Sequence, residues 1–278
     1  MANNLKDILK EKVSEKELEL VPRSFEVIGS KEKSVAVVEI PEELEAKEKI
    51  IAEGIMQLHK SVKSVLKKSS ERRGKLRLRE YKLVAGDKNT EVLHKEHGYL
   101  LKVDPQKTYF STREATERQK IAEQVKPNET VMAMFSGIAP FAIAIAKKQE
   151  VNKIYAVELN KNAHKYAEEN VRINKLAHKI VLIQGDVKEV CKKYFGKCDR
   201  VIMPLPLGAE SFLDVATKCL KQEGGIIHFY NWGEGKDPFE KAVKLIEKNC
   251  KKFEILDKRI VLPYAPRKYK VCIDVKMG

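Results

Sequence analysis

Residues 129–158, ETVMAMFSGIAPFAIAIAKKQEVNKIYAVE, hold the residue types best suited to chemistry in this chain of 278. An apolar run from Val131 to Phe135 meets a small-residue turn at Ser136 and Gly137, and helical spacing follows from Ala139 to Lys148. That order reads as strand, tight turn, helix. A second apolar run, Ile154 to Val157, ends in Glu158, 21 positions beyond Gly137. In a doubly wound sheet the first turn lets backbone N–H groups approach a ligand, and an acid about 20 residues on accepts from ribose hydroxyls. Gly137 supplies one glycine of a G-x-G-x-x-G pattern, with no second or third to admit a pyrophosphate. The pattern favours an adenosine ligand lacking one, such as S-adenosylmethionine (SAM). An ordinary strand–helix–strand unit, with Gly137 as a packing glycine and Glu158 as a solvated strand end, has the same pattern.

Five further groups could act with this turn. Asp186 follows the next apolar run, Lys179 to Gln184, and suits either the exocyclic amine of an adenine or the N-cap of the helix after it. Pro204-Leu205-Pro206-Leu207-Gly208 follows the run Asp199 to Met203. Two prolines cannot continue a ladder, so they fix a rigid loop at the face where open α/β sheets bind ligands. Glu117 shares a helix face with Arg113, either as an ordinary i,i+4 pair or as a proton acceptor overlooking the site. Lys60 to Lys82 carries ten bases against two acids, and Arg77 and Arg79 alternate there with Leu76 and Leu78. In a strand both guanidiniums would project from one face, which suits RNA phosphates or base edges, although lysines also keep an exposed edge strand soluble. Pro263-Tyr264-Ala265-Pro266-Arg267-Lys268 interleaves aromatic and basic residues; it reads equally as an RNA-stacking loop and as a Pro-rich hairpin loop.

The elements that must position these residues follow from periodicity. Residues 4–20 have the spacing of one amphipathic helix, stopped by Pro22. Strands are expected at 25–28 and 34–40, a helix from Pro41 to about Leu58, and a hairpin of 91–94 with 99–103 around His97 and Gly98. A domain boundary is expected near Asp104 and Pro105. Beyond it, a helix over 113–125 leads into strands and helices in alternation, and two closing strands, 253–262 and 269–275, end the order. The expected fold is α/β: a doubly wound, Rossmann-like domain over 106–278 preceded by a small α/β domain over 1–105.

With 43% hydrophobic residues the chain can bury a substantial core. It has no apolar run approaching the length of a membrane span, and its charged N-terminus is unlike a signal sequence, so a cytoplasmic protein without membrane contact is expected. Its 5 cysteines are odd in number and lack C-x-x-C spacing, so they read as reduced thiols, with no metal site. A net charge of +14 points to a polyanionic partner.

Ordered blocks across the chain carry a resemblance: LRLREYKLVAGDKNT (76–90), HKEHGYLLKVD (94–104), TYFSTREATER (108–118), MFSGIAPF (134–141), NKLAHKI (174–180), DRVIMPLP (199–206), GGIIHFY (224–230) and KRIVLPYAPRKYKVCID (258–274). The chain resembles archaeal members of the Trm5 family, the tRNA (guanine-37 N1)-methyltransferases, related to the wybutosine-pathway enzymes of the TYW2 type. The resemblance implies a class I SAM-dependent methyltransferase domain, preceded by a small domain that helps hold the tRNA anticodon stem-loop, in a monomer. It implies that Arg77 touches the target guanine, that Tyr109 lines the target-base side and that Glu117 is the general base. Phe135, Ser136, Gly137 and Pro140 of the 134–140 turn, with Glu158 and Asp186, would contact SAM. Pro204 and Pro206 would shape both the cofactor and the base side.

Three departures from the family pattern bear on function. The additional N-terminal domain of the family has no counterpart in this sequence, which implies looser discrimination among tRNAs. Ala133 stands where an Asp usually precedes Met-Phe, and Pro204-Leu205-Pro206 stands for Asn-Leu-Pro. The second change is shared with an archaeal subgroup that also methylates C7 of 4-demethylwyosine. Two rival expectations are a TYW2-like transfer of the aminocarboxypropyl group and a non-catalytic RNA-binding protein on the same fold.

Overall fold

Two capping boxes break the expected first helix in the computed structural model, which describes residues 4–70 and 79–278. The side chain of Asn4 accepts from Asp7 N at the start of α1 (Leu5–Leu9), and Ser14 accepts from Glu17 N at the start of α2 (Glu15–Leu20); Asp7 and Glu17 return the bond in each case. Each box satisfies helix-end donors locally. The second start therefore prevails over the apolar spacing that runs through it.

The chain divides into two compact units, Met1–Thr112 and Arg113–Gly278. In the first, β1 (Glu26–Gly29), β2 (Ser34–Val38), β3 (Val62–Lys68) and β4 (Tyr81–Gly86) pair in that order, with β2 and β3 parallel. The helix expected from Pro41 begins as a 3-10 turn, Glu42–Lys47, and becomes α3 (Glu48–Leu58). A Cβ on Gly54 of α3 would lie 3.0 Å from Leu5 Cδ1 and 3.1 Å from Leu9 Cδ2, so the absent side chain lets α1 pack closely. A separate hairpin joins β5 (Val92–Glu96) to β6 (Tyr99–Val103) through His97 and Gly98, both with positive φ, 42° and 87°. Left-handed conformations at both turn positions match the twist of the flanking strands.

The second unit runs α4 (Ala115–Gln124), β7 (Thr130–Ala133), α5 (Pro140–Lys148), β8 (Lys153–Glu158), α6 (Lys161–Ile173), β9 (Ile180–Gln184), α7 (Val187–Val190), β10 (Arg200–Met203), α8 (Leu213–Cys219), β11 (Gly225–Glu234), α9 (Glu240–Asn249), β12 (Phe253–Ala265) and β13 (Lys268–Met277). The sheet order is β12-β13-β11-β10-β7-β8-β9. Strands β7 to β11 are parallel, and β13 lies antiparallel between β11 and β12. Parallel strands covered on both faces are mostly apolar, and β7 and β10 are buried along their whole length, with Thr130 and Arg200 as the polar residues at their starts.

The closing hairpin is longer than its pattern implies. Residues 263–265, expected in a loop, continue β12 with register shifts at Ile255/Asp257, Ile260/Leu262 and Pro263/Ala265, leaving a short turn in which Arg267 has φ 57°. The prolines are tolerated because β12 is an edge strand and its irregularities absorb the missing donor.

Candidate functional site

The turn after β7 is built against the usual backbone preferences. Phe135, Gly137 and Ala139 have φ of 54°, 55° and 66°. For the two non-glycine residues this conformation costs about 1–3 kcal/mol each, and such strain gathers at ligand sites. Neighbours hold it in place. Ser136 N donates to Val157 O at 2.8 Å, Ala139 N donates to Ser136 O at 2.8 Å, and the Phe135 ring meets Phe212 edge-on with centroids 4.9 Å apart. Pro140 occupies the first turn of α5, where its fixed φ suits the helix and its missing N–H is no loss.

Glu158, at the end of β8, turns back onto this loop. One carboxylate oxygen accepts from Gly137 N at 2.6 Å and the other from Asn160 N at 2.7 Å. Burial pushes the carboxyl pKa up, against the pull of those two N–H groups. The Leu159 N–H is a third backbone donor to the carboxylate, which leaves one in-plane lone pair for a ligand hydroxyl. Beside them the Ser136 hydroxyl is buried without a hydrogen-bond partner among the described residues. An orphaned buried polar atom is uncommon and marks a place where a ligand or water completes the bonding.

These groups lie where strand order reverses. β7 is flanked by β8 on one side and β10 on the other, and a doubly wound sheet binds its ligand in the crevice outside the carboxyl ends at that point. Asp186, after β9, caps α7 by accepting from Lys188 N at 2.9 Å. Its other oxygen remains at the exposed strand end. Pro204 to Pro206 follow β10, and Pro206 O accepts from Trp232 N at 3.1 Å, which ties the loop to β11. An adenosine with a ribose diol fits this set: carboxyl acceptors at two neighbouring strand ends and an unpaired hydroxyl beside them.

Glu117 has different partners from those expected. Arg113 donates to Pro263 O at 2.8 Å, so no pair forms between the two residues. Glu117 is 6% exposed and lies against the closing strands. Its Oε1 accepts from Tyr230 Oη at 2.6 Å, Arg259 Nε at 3.0 Å and Arg259 Nη2 at 2.8 Å; its Oε2 accepts from Arg259 Nε at 3.1 Å. Arg259 Nη1 continues to Asp274 Oδ2 at 2.6 Å and Asp257 Oδ2 at 3.1 Å. Asp274 Oδ1 meets His228 Nδ1 at 2.6 Å, and His228 Nε2 meets Arg200 Nη1 at 2.7 Å. Arg200 closes the chain on Glu129 at 2.7 and 3.0 Å. The Tyr230 ring also meets Phe141, in the first turn of α5, with centroids 6.1 Å apart. The buried carboxylate is thus connected to the helix that leaves the ligand-type turn. His228, Cys272 and Asp274 bring metal-type atoms within 4.8 Å of one another, but Arg200 and Arg259 hydrogen-bond to them and take the positions a cation would need.

In the N-terminal unit, Tyr109 is 37% exposed. The residues just after it are fixed by Glu26, whose carboxylate accepts from Ser111 Oγ, Thr112 N and Thr112 Oγ1 at 3.0, 2.7 and 3.0 Å. Arg77, with the strand expected to carry it, lies outside the described residues. Of the ten bases counted in that stretch, Lys67, Lys68 and Lys82 pair with Glu45, Glu48 and Glu39 and so add less positive field than their number suggests. Periodicity gave no sign of Tyr230, Arg259 or Asp274 as partners of Glu117. Each lies in one of the ordered sequence blocks, GGIIHFY or KRIVLPYAPRKYKVCID, but only tertiary pairing brings them together. No helix among the described residues is long and apolar enough to cross a membrane.

Comparison with known proteins gives concordant matches. Residues 92–257 match the TRM5/TYW2 methyltransferase domain and residues 5–90 the TYW2 N-terminal domain. The tRNA (guanine(37)-N(1))-methyltransferase Trm5b of Pyrococcus abyssi is 41% identical over 262 residues, covering 93% of this chain and 76% of that protein. The tRNA 4-demethylwyosine(37)-methyltransferase Taw21 of Saccharolobus solfataricus is 32% identical over 259 residues, covering 91% of this chain and 94% of that one. Among solved structures, aTrm5 in complex with tRNALeu superposes with a TM-score of 0.86 at 40% identity, covering 99% of this chain and 78% of that one.

Proposed function

The chain belongs to the TRM5/TYW2 methyltransferase family, and we propose that it carries a methyl group from SAM to N1 of guanine 37, next to the anticodon of tRNA. Residues 1–105 hold the anticodon stem-loop and residues 106–278 bind SAM and perform the transfer, with the protein working in the cytoplasm as a monomer. The observation that carries this reading is the turn at the reversal of strand order, where the Gly137 N–H donates to the Glu158 carboxylate and the neighbouring Ser136 hydroxyl is buried without a partner among the described residues.

SAM supplies an electrophilic methyl group on a sulfonium centre. Guanine N1 holds a proton at neutral pH, so its lone pair is released only when a base takes that proton. Glu117 is that base. Arg77 stabilises the charge that develops on O6, and Tyr109 lines the target-base side. Phe135, Ser136, Gly137 and Pro140 shape the cofactor turn, while Glu158 and Asp186 accept from the ribose and the adenine amine. The Pro204–Pro206 loop, tied to β11, holds the acceptor purine and the methyl donor in line, which is the main requirement of a direct displacement. Guanine 37 must leave its stack at a cost of a few kcal/mol, offset by pocket contacts.

The test is mass spectrometry of nucleosides from tRNA incubated with the protein and SAM. 1-Methylguanosine at position 37 is expected, and its absence from a tRNA known to bind would overturn the proposal. Glu117→Gln should lower the transfer rate about 100-fold or more while leaving SAM affinity nearly intact; a variant as fast as wild type from pH 6 to 9 would remove Glu117 from the mechanism. Pro204 in place of an Asn favours a second activity at C7 of 4-demethylwyosine, which a tRNA bearing that base, run in parallel, tests directly.

A further inference from the structure

Glu117 is an unusual base in that its two oxygens are unequally engaged. A carboxylate oxygen has two lone pairs in the plane of the group, and Oε1 already faces three donors, from Tyr230 and Arg259. Oε2 faces Arg259 Nε at 3.1 Å, in a bond shared with Oε1. We infer that Tyr230 and Asp274 are positioning residues for Glu117: Tyr230 saturates Oε1 and so leaves Oε2 to take the proton, and Asp274 draws off the charge of Arg259 that would otherwise make Glu117 a poor base. The inference rests on the reading of Glu117 as the base for guanine N1.

The charged groups around Glu117 decide the sign of each contribution. On β12, Arg259 faces three carboxylates, those of Glu117, Asp257 and Asp274, with Lys120 of α4 on Asp257 at 3.2 Å. On β13, Cys272 Sγ accepts from Arg259 Nη2 at 3.2 Å, and Lys270 pairs with Glu114 at 3.0 Å while lying over the Tyr230 ring. On α4 itself, Arg118 is buried beside Glu117 in sequence. Arg200 can only donate, so His228 Nε2 accepts from it and the imidazole proton lies on Nδ1, donated to Asp274 Oδ1. Burial depresses the pKa of His228, which keeps the ring neutral. Asp274 therefore stays an anion, and its second oxygen is aimed at Arg259. An arginine whose charge is divided among three acids holds a carboxylate in place without binding it as tightly as a private partner would. In the reaction the N1 proton passes to Glu117 Oε2, the N1 electron pair forms the bond to the methyl carbon, and the carbon–sulfur bond breaks with its electrons on sulfur.

The experiment is single-turnover methyl transfer from SAM to guanine-37 tRNA, recorded from pH 5 to 9 for wild type, Asp274→Asn, Tyr230→Phe and Glu117→Gln. Asp274→Asn leaves Arg259 less compensated, weakens Glu117 as a base, moves the acid limb to lower pH and lowers the plateau about 3- to 10-fold. Tyr230→Phe removes a donor from Oε1 and moves the acid limb the opposite way by about half to one pH unit. A purely structural role would lower the rate without moving either limb. Superimposable profiles, or two shifts of the same sign, overturn the inference. If Asp274→Asn does not fold, Tyr230→Phe decides alone: it keeps the ring packing, and an unmoved limb overturns the inference. Full activity of Glu117→Gln is a distinct outcome, one that overturns the base assignment itself.

Discussion

Substituting Glu158 by Gln separates a ligand-binding carboxylate from a packed strand end. In wild type, both oxygens accept backbone N–H groups, from Gly137 at 2.6 Å and Asn160 at 2.7 Å, with Leu159 N–H as a third donor, and one lone pair remains for a ribose hydroxyl. The amide of Gln has one acceptor and one donor. Whichever way it turns, an NH2 faces one of those N–H groups or the ribose. Hydrogen bonds to a charged acceptor contribute about 1.5–3 kcal/mol each, so losing one on the ligand weakens SAM binding by about 10- to 150-fold. Calorimetric titration with SAM and with adenosine measures this, and both ligands should weaken alike because the loss lies at the ribose. The pH dependence has a defined sign. Burial raises the Glu158 carboxyl above its ordinary 4.5, so ligand affinity should fall as pH drops through a value above 4.5, where wild type loses its charge. The same raised pKa means that the carboxyl's contribution to fold stability is full below 4.5 and is lost as pH rises through the raised value. A Glu158→Gln variant that unfolds like wild type and binds SAM within about two-fold of it would refute the assignment of Glu158 to the ribose.

Two further perturbations test the surroundings. Arg200→Met strips the partly buried Glu129 carboxylate and the buried His228 Nε2 of their donor; removing one partner of a buried pair costs about 3–5 kcal/mol, and urea unfolding should show a loss of that order, with a loss below about 1 kcal/mol contradicting the network. Trp232 is the only tryptophan and packs tilted against Tyr264, with ring centroids 4.7 Å apart and an interplanar angle of 51°, so RNA stacking at the hairpin tip should change its emission. Tyr264→Ala should then weaken RNA binding by about 1–3 kcal/mol, whereas unchanged emission and affinity would leave the tip a plain hairpin turn.

The alternation of strands and helices in residues 113–278 was legible because each parallel strand is a mostly apolar run and most of the turns after them hold a glycine, proline or acid. What local pattern could not give was competition between partners. Arg113 and Glu117 have the spacing of a helical pair, yet Arg259, 142 residues away, offers two N–H groups in a fixed fork and prevails over a single local contact. Residues 4–20 have the apolar spacing of one helix, yet the chain breaks after α1 and restarts at Ser14, where the Ser14–Glu17 capping box satisfies donors that the break leaves without helical partners. The Pro-rich segment read as a loop because proline cannot donate; at a sheet edge that donor faces outward and the strand continues through Pro263. Arg77 drew attention through its alternation with leucines, and that expectation lies outside the described residues.

β13 is synthesised after every strand it separates, and it enters between β11 and β12. Until it does so, β11 and β12 have no mutual hydrogen bonds in the native order, and Arg259 has no Asp274 to share its charge. A nascent chain already carrying the whole turn after β7 would therefore still lack part of the network that holds Glu117. A chain that stops ahead of β13 carries Arg259 with one carboxylate fewer, so its Glu117 faces an arginine whose charge is divided between two acids rather than among three.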